Sequence, residues 1–89
     1  MCPSAHNAID VAALVRRAGQ AYPHKAAIIW EDGTRTYTEL LSRIDALAGQ
    51  LREMGVREGD RVGLALGNGP VFVEGYIATA QLGAIAVPL

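Results

Sequence analysis

Apolar side chains recur with helical spacing in three stretches of the chain and in short unbroken runs in three others, and a β-prone run, Thr34–Tyr37, follows the first of these. Val11, Leu14, Val15, Ala18 and Tyr22 fall at intervals of 0, 3, 4, 7 and 11, the period of one helix face. Asn7 is placed to cap that helix, Arg16, Arg17 and Gln20 fall on its opposite face, and Pro23 ends it. Leu40, Ile44, Leu47, Ala48 and Leu51 form a second stripe, followed by Gly55 at the position where helices commonly close. Thr36 with Glu39 has capping-box spacing, whereas Thr38 would put Glu39 in the first turn; both starts remain open. Phe72, Val73, Tyr76, Ile77 and Ala80 mark a third helix, with Pro70 at its first position and Gly83 at its end.

The unbroken runs read as strands. Ala26–Trp30 and Thr34–Tyr37 flank Asp32-Gly33, a hairpin signal whose type I′ turn needs positive φ at both central residues. Val62–Leu66 is continuous rather than alternating, as in strands covered on both faces, and Ala84–Val87 is a further short strand. Strand, helix and strand in about thirty residues make a βαβ unit with a right-handed crossover. The fold class is therefore α/β: an N-terminal helix, a β-hairpin, a second helix and one βαβ unit, as the incomplete N-terminal portion of a larger parallel-sheet domain. Residues 1–89 read as one partial subdomain, with 1–7 expected to be disordered.

Bulk properties narrow the function classes. The net charge is -1 and 51% of residues are apolar, so neither disorder nor a basic nucleic-acid or lipid surface is indicated. A chain of 89 residues buries only about 60–65% of the surface its unfolded form exposes. The single cysteine, Cys2, excludes an intrachain disulfide framework and fits a reducing, cytoplasmic compartment. The N-terminus has neither the basic nor the apolar region of a signal peptide. Val71–Leu89 carries one charge, Glu74, but Gly75, Gln81, Gly83 and Pro88 interrupt it, which favours a buried helix and strand over a membrane span. Residues 61–89 hold only Arg61 and Glu74 as charges, against fifteen in 1–60, so the chain is expected to stop inside its core.

Candidate chemistry is sparse. Gly67-Asn68-Gly69 lies between strand and helix, but the third glycine of a dinucleotide fingerprint is replaced by Phe72, and no Gly-Lys-Ser or Gly-Lys-Thr occurs. A tight structural turn is the reading there. His6 and His24 lack metal-ligand spacing, and Glu31-Asp32 sits at a hairpin tip. Glu74 is placed on a solvated edge of its helix, Cys2 has no basic neighbour, and Trp30 packs before the hairpin. No nucleophile, base and oxyanion donor come together.

Several segments, in this order and spacing, resemble the opening of the AMP-forming adenylating superfamily, of acyl-CoA synthetase type. They are Lys25–Trp30, Thr36–Leu40, Leu51–Val62 with its Met54-Gly55-Val56 and Glu58-Gly59-Asp60, Leu66-Gly67-Asn68 and Gln81–Leu89. The resemblance covers about residues 8–89 and implies a two-step ligase. ATP and a carboxylate, with Mg²⁺, give an acyl-adenylate and pyrophosphate, and a thiol, usually that of coenzyme A, then takes the acyl group. The family's Ser/Thr/Gly-rich loop with its lysine, its later nucleotide contacts and its C-terminal lysine have no counterpart here. Lys25, the one lysine, matches no catalytic position, so catalytic, cofactor-binding and metal residues are all expected to be none. The implied partners are a small carboxylate and coenzyme A in the full-length enzyme, with no nucleic acid and no transmembrane segment; self-association through an open sheet edge is expected for the chain alone. Two other readings stand beside this one: a non-enzymatic interaction module, and a doubly wound nucleotide-binding enzyme of another family.

Overall fold

The structure is a computed structural model that describes residues 3–65 and 69–88, with side chains from Val11 onward. Its elements run α1 (Pro3–Ala21), β1 (Ala26–Trp30), β2 (Gly33–Thr36), α2 (Tyr37–Glu53), β3 (Arg61–Leu64), α3 (Pro70–Gln81) and β4 (Ile85–Pro88). β1 and β2 form an antiparallel hairpin, and β3 and β4 form a separate parallel pair joined through α3. The three helices share one small core of Leu40, Ile44, Ala48, Ile77 and Ala78, with Ala12, Val15, Leu47, Leu51, Val73 and Leu82 packed around it.

α2 follows its sequence closely. Thr36 is its N-cap: the Glu39 backbone N–H donates to Thr36 Oγ1 and the Thr36 N–H donates to Glu39 Oε1, a complete capping box. That settles the choice between Thr36 and Thr38. Thr38 instead donates from Oγ1 to the Pro23 carbonyl at 2.9 Å, tying the helix start to the chain that leaves α1. Leu40, Ile44 and Ala48 are buried, and Gly55 follows the helix at φ 96°.

α1 is rotated from the expected orientation. It starts at Pro3, so Asn7 lies inside the helix and is not its cap. Val11, Leu14 and Tyr22 are exposed, at 39%, 57% and 57%. Val15 faces the core as expected, but Ala12 joins it there and Gly19 is buried. The physical reason is close packing: at Gly19 a Cβ would overlap Leu41 Cδ1, so the smallest residue, not the largest, marks the contact. Arg16, expected on the solvent side, reaches the junction of all three helices.

The hairpin forms with a different turn. Trp30 pairs with Gly33 across Glu31-Asp32, and no described non-glycine residue has positive φ, nor does Gly33. The expected type I′ turn on Asp32-Gly33 is therefore absent. Gly33 opens β2, with the Trp30 ring 3.4 Å from the position a Cβ would take, an ordinary contact distance.

In the βαβ unit, Pro70 occupies the first turn of α3 after Gly69 at φ 121°, and Gly83 closes the helix at φ 74°. β3 starts one residue earlier than expected and ends at Leu64, while β4 is displaced by one residue to Ile85–Pro88. Coverage on both faces, expected for β3, is not met among the described residues: Leu64 is buried, but Arg61 and Gly63 are exposed. α3 packs on one face only, and the other carries Ile85 at 43% and Val87 at 37% exposure. No described helix is long and apolar enough to cross a membrane.

Candidate functional site

The only charge in α3 is also the most buried charge described. Glu74 is 3% exposed, which corrects its expected place on a solvated edge. Its carboxylate turns inward to meet two guanidiniums from elements far away in sequence. Arg35 Nε, from β2, lies 2.8 Å from Glu74 Oε2, and Arg43 Nε, from α2, lies 3.3 Å from the same oxygen. Arg43 Nε also donates to Glu74 Oε1 at 3.4 Å. Burial of a carboxylate is tolerable only with such compensation.

The pairing is electrostatic more than directional. At 2.8 Å, Arg35 Nε and Glu74 Oε2 are at ion-pair distance, yet the Arg35 N–H is not aimed at the oxygen, and neither atom has an aligned hydrogen-bond partner among the described residues. Arg35 is held from its other side by the Trp30 ring, 5.4 Å from the guanidinium carbon. Arg43 is about half exposed and borders a shallow groove of about 300 Å³ walled by Ala46, Leu47, Gln50 and Val71. The cluster thus joins the hairpin, α2 and α3, with its cations turned toward its own carboxylate.

A second polar junction joins the helices on another side. Arg16 Nη2 donates at 2.8 Å to both Asp45 Oδ1 of α2 and Gln81 Oε1 of α3, and Gln81 Nε2 donates to Asp45 at 3.3 Å. The hydrogen bond from Arg16 holds the Asp45 carboxyl below its ordinary value, against a smaller opposing effect of burial. The Thr36 backbone N–H does the same for Glu39.

The remaining sequence candidates stay scattered. His24, Glu31 and Asp32 are exposed, and Lys25 Nζ lies over the Tyr22 ring at 4.9 Å. His6 falls within α1, and Cys2, Gly67 and Asn68 lie outside the described residues. Among the described residues no group of three or more His, Cys, Asp or Glu side chains could hold a metal ion. Thr79, fully buried, spends its hydroxyl on the Gly75 carbonyl at 2.7 Å. The Glu74 cluster was missed in the sequence because its partners are not periodic neighbours; the one available signal was a lone charge in an apolar helix.

These features define an α/β segment: a hairpin and a parallel βαβ unit packed on a small helical core, locked by two polar junctions. The family model described as AMP-binding enzyme matches residues 15–89. A feruloyl-CoA synthase of Amycolatopsis sp is 44% identical over 75 residues, which is 84% of this chain and 15% of that protein. The O-succinylbenzoate coenzyme A synthetase from Bacillus subtilis, solved with AMP, superimposes with a TM-score of 0.78 at 35% identity, over 84% of this chain and 20% of that one. An artificially fused adenylation–PCP di-domain from Klebsiella oxytoca gives 0.83 at 28% identity, over 89% and 15%. The chain belongs to the AMP-binding enzyme family, that of the AMP-forming ligases. That membership displaces a doubly wound enzyme of another family. The chain spans about 15% of the length of the curated relatives it matches first.

Proposed function

We propose that the chain forms the N-terminal portion of the adenylating domain of an ATP-dependent carboxylate ligase of acyl-CoA synthetase type, and that its own side chains supply scaffold and not catalysis. The observation that carries this reading is the superposition of the whole hairpin–α2–βαβ arrangement on adenylate-forming enzymes, with TM-scores of 0.83 and 0.78. The names of the relatives support a carboxylate and coenzyme A as substrates of the complete protein. Its reaction would join carboxylate and ATP into an acyl-adenylate with release of pyrophosphate, then pass the acyl group to a thiol. A cytoplasmic setting goes with that chemistry.

No group of three or more His, Cys, Asp or Glu side chains that could hold Mg²⁺ stands among the described residues. A triphosphate needs several uncommitted cations. Arg35 and Arg43 are turned to Glu74, Arg16 to Asp45 and Gln81, and Lys25 stands over Tyr22, while Arg17, Arg52, Arg57 and Arg61 are exposed on α1, α2, the turn after it and β3. No catalytic step is therefore routed through this segment.

Two measurements test the reading. The isolated chain is expected to give no carboxylate-dependent exchange of pyrophosphate into ATP above a buffer blank; clear exchange would refute the scaffold assignment. A chimera of the feruloyl-CoA synthase carrying residues 15–89 in place of its matching segment is expected to keep thioester formation. A folded but inert chimera would remove the claim that the segment is interchangeable within this family.

A further inference from the structure

The outward face of α1 carries an apolar stripe that no other described element covers. Val11, Leu14, Ala18 and Tyr22 succeed one another at intervals of 3, 4 and 4 residues, the spacing of a seam between two packed helices. Leu14 and Tyr22 are each 57% exposed and Val11 39%, while Ala18 is half-buried. A groove of about 590 Å³ runs beside Leu14, bordered by Ala13, Arg17 and Gln20, so a side chain from outside has room to enter. The contacts that α1 makes with its own core, through Ala12, Val15 and Gly19, lie on the other side of the helix.

The charges beside the stripe say what fits it. Arg17 is exposed, and Asp10 stands one heptad before it on the same helix, so the two residues occupy equivalent places along the seam. Two copies of α1 laid antiparallel set Asp10 of each beside Arg17 of the other. A parallel pair would set Arg17 against Arg17 and Asp10 against Asp10, which repel. An antiparallel pair shifted by one heptad brings Arg17 against Arg17 as well. We propose that the chain pairs with a second copy of itself through this face of α1, antiparallel, with Leu14 of each copy seated in the groove of the other. The contact is two-fold symmetric, so every complementary feature occurs twice. The pairing is independent of the ligase chemistry proposed above, because every residue it uses lies on α1. Few side chains meet, chiefly Val11, Leu14 and Ala18 of each copy, so the dimer is weak, with a dissociation constant on the order of 0.1 mM.

Sedimentation equilibrium of the full 89-residue chain, from about 10 µM to about 1 mM, tests this. A monomer–dimer equilibrium is expected. Leu14→Lys is expected to weaken it by about tenfold or more, with the melting temperature of the chain unchanged, since Leu14 is already exposed. Arg17→Asp alone and Asp10→Arg alone are each expected to weaken the dimer. The chain carrying both replacements is expected to pair like the parent, and a mixture of the two single variants to form a heterodimer tighter than the parent pair. A chain that stays monomeric throughout overturns the proposal. So does a dimer indifferent to Leu14→Lys, or one that the double replacement fails to restore. A dimer lost on Ile85→Lys or Ile29→Lys but kept on Leu14→Lys would place the contact on a strand and overturn it too.

Discussion

Glu74 Oε2 and Arg35 Nε stand 2.8 Å apart across the junction of α3 with the hairpin, and both side chains are largely withdrawn from water. Replacing Glu74 by Ala would leave Arg35 buried without its counter-charge, a loss of about 3–5 kcal/mol for a pair of this kind. With roughly 4–8 °C of melting temperature per kcal/mol in domains of this size, unfolding near room temperature is expected. The double replacement Glu74→Leu with Arg35→Met is expected to restore most of that stability, since an apolar pair of similar volume removes both desolvation costs. Thermal melts of the single and double variants check this; a Glu74→Ala melt equal to the parent would mean that the pair contributes nothing.

Gly19 sets how closely α1 approaches α2. Gly19→Val is expected to destabilise by about 1–3 kcal/mol, the usual cost of overfilling a packed contact. Gly19→Ala should be milder, because the clash is with the end of the flexible Leu41 side chain and alanine favours the helix by about 1 kcal/mol. Denaturant titration of the two variants gives the order, and a Val variant as stable as the Ala variant would disprove close packing.

The capping box and the Arg16 junction make stability depend on acid. Glu39 and Asp45 both have folded values below their ordinary 4.5 and 3.8. A group depressed by folding contributes fully above its unfolded value and loses that contribution as the pH falls toward its folded value. Stability is thus expected to be level near neutrality and to decline below about pH 4.5. Arg16→Ala is expected to bring the Asp45 titration up toward 3.8, followed by NMR of the carboxyl carbon.

Thr36→Ala removes the N-cap and should cost about 0.5–2 kcal/mol. The same change is expected to raise the Glu39 titration, because the ordered backbone N–H of Thr36 is the main cause of its depression. Stability loss with no change in the Glu39 titration would separate the cap from the carboxylate.

Gly83 is held at φ 74°, with Glu58 Cγ 3.0 Å from where a Cβ would stand. Gly83→Ala is expected to lose about 1–2 kcal/mol from the left-handed backbone alone. The Glu58→Ala background removes the contact and leaves the backbone effect, so the two contributions can be read separately by denaturant titration.

Local signals were the legible ones. The α2 stripe, Gly55, Pro70 and Gly83 each act within a few residues, and each stands where the sequence put it, while the capping box took one of the two starts that the sequence left open. What was hidden depends on partners distant along the chain. α1 turns Ala12 and Gly19 inward beside Val15 and leaves Leu14 out, because the fit against Leu41 rewards a small residue at Gly19. Glu74 looked solvated because Arg43, 31 positions away, and Arg35, further still, left no mark on the pattern of its own helix. The hairpin was plain, but its turn moved by one residue, with Trp30 paired to Gly33 across Glu31-Asp32.

The Arg16 Nη2 group donates both to Asp45 of α2 and to Gln81 of α3, so one guanidinium nitrogen ties α1 to each of the other helices. Separation of any one helix breaks two of the three hydrogen bonds among Arg16, Asp45 and Gln81. These bonds are exposed and each contributes little, but they share members and the helices share one core, so slow amide protons in α1, α2 and α3 should exchange through one shared opening rather than three independent ones.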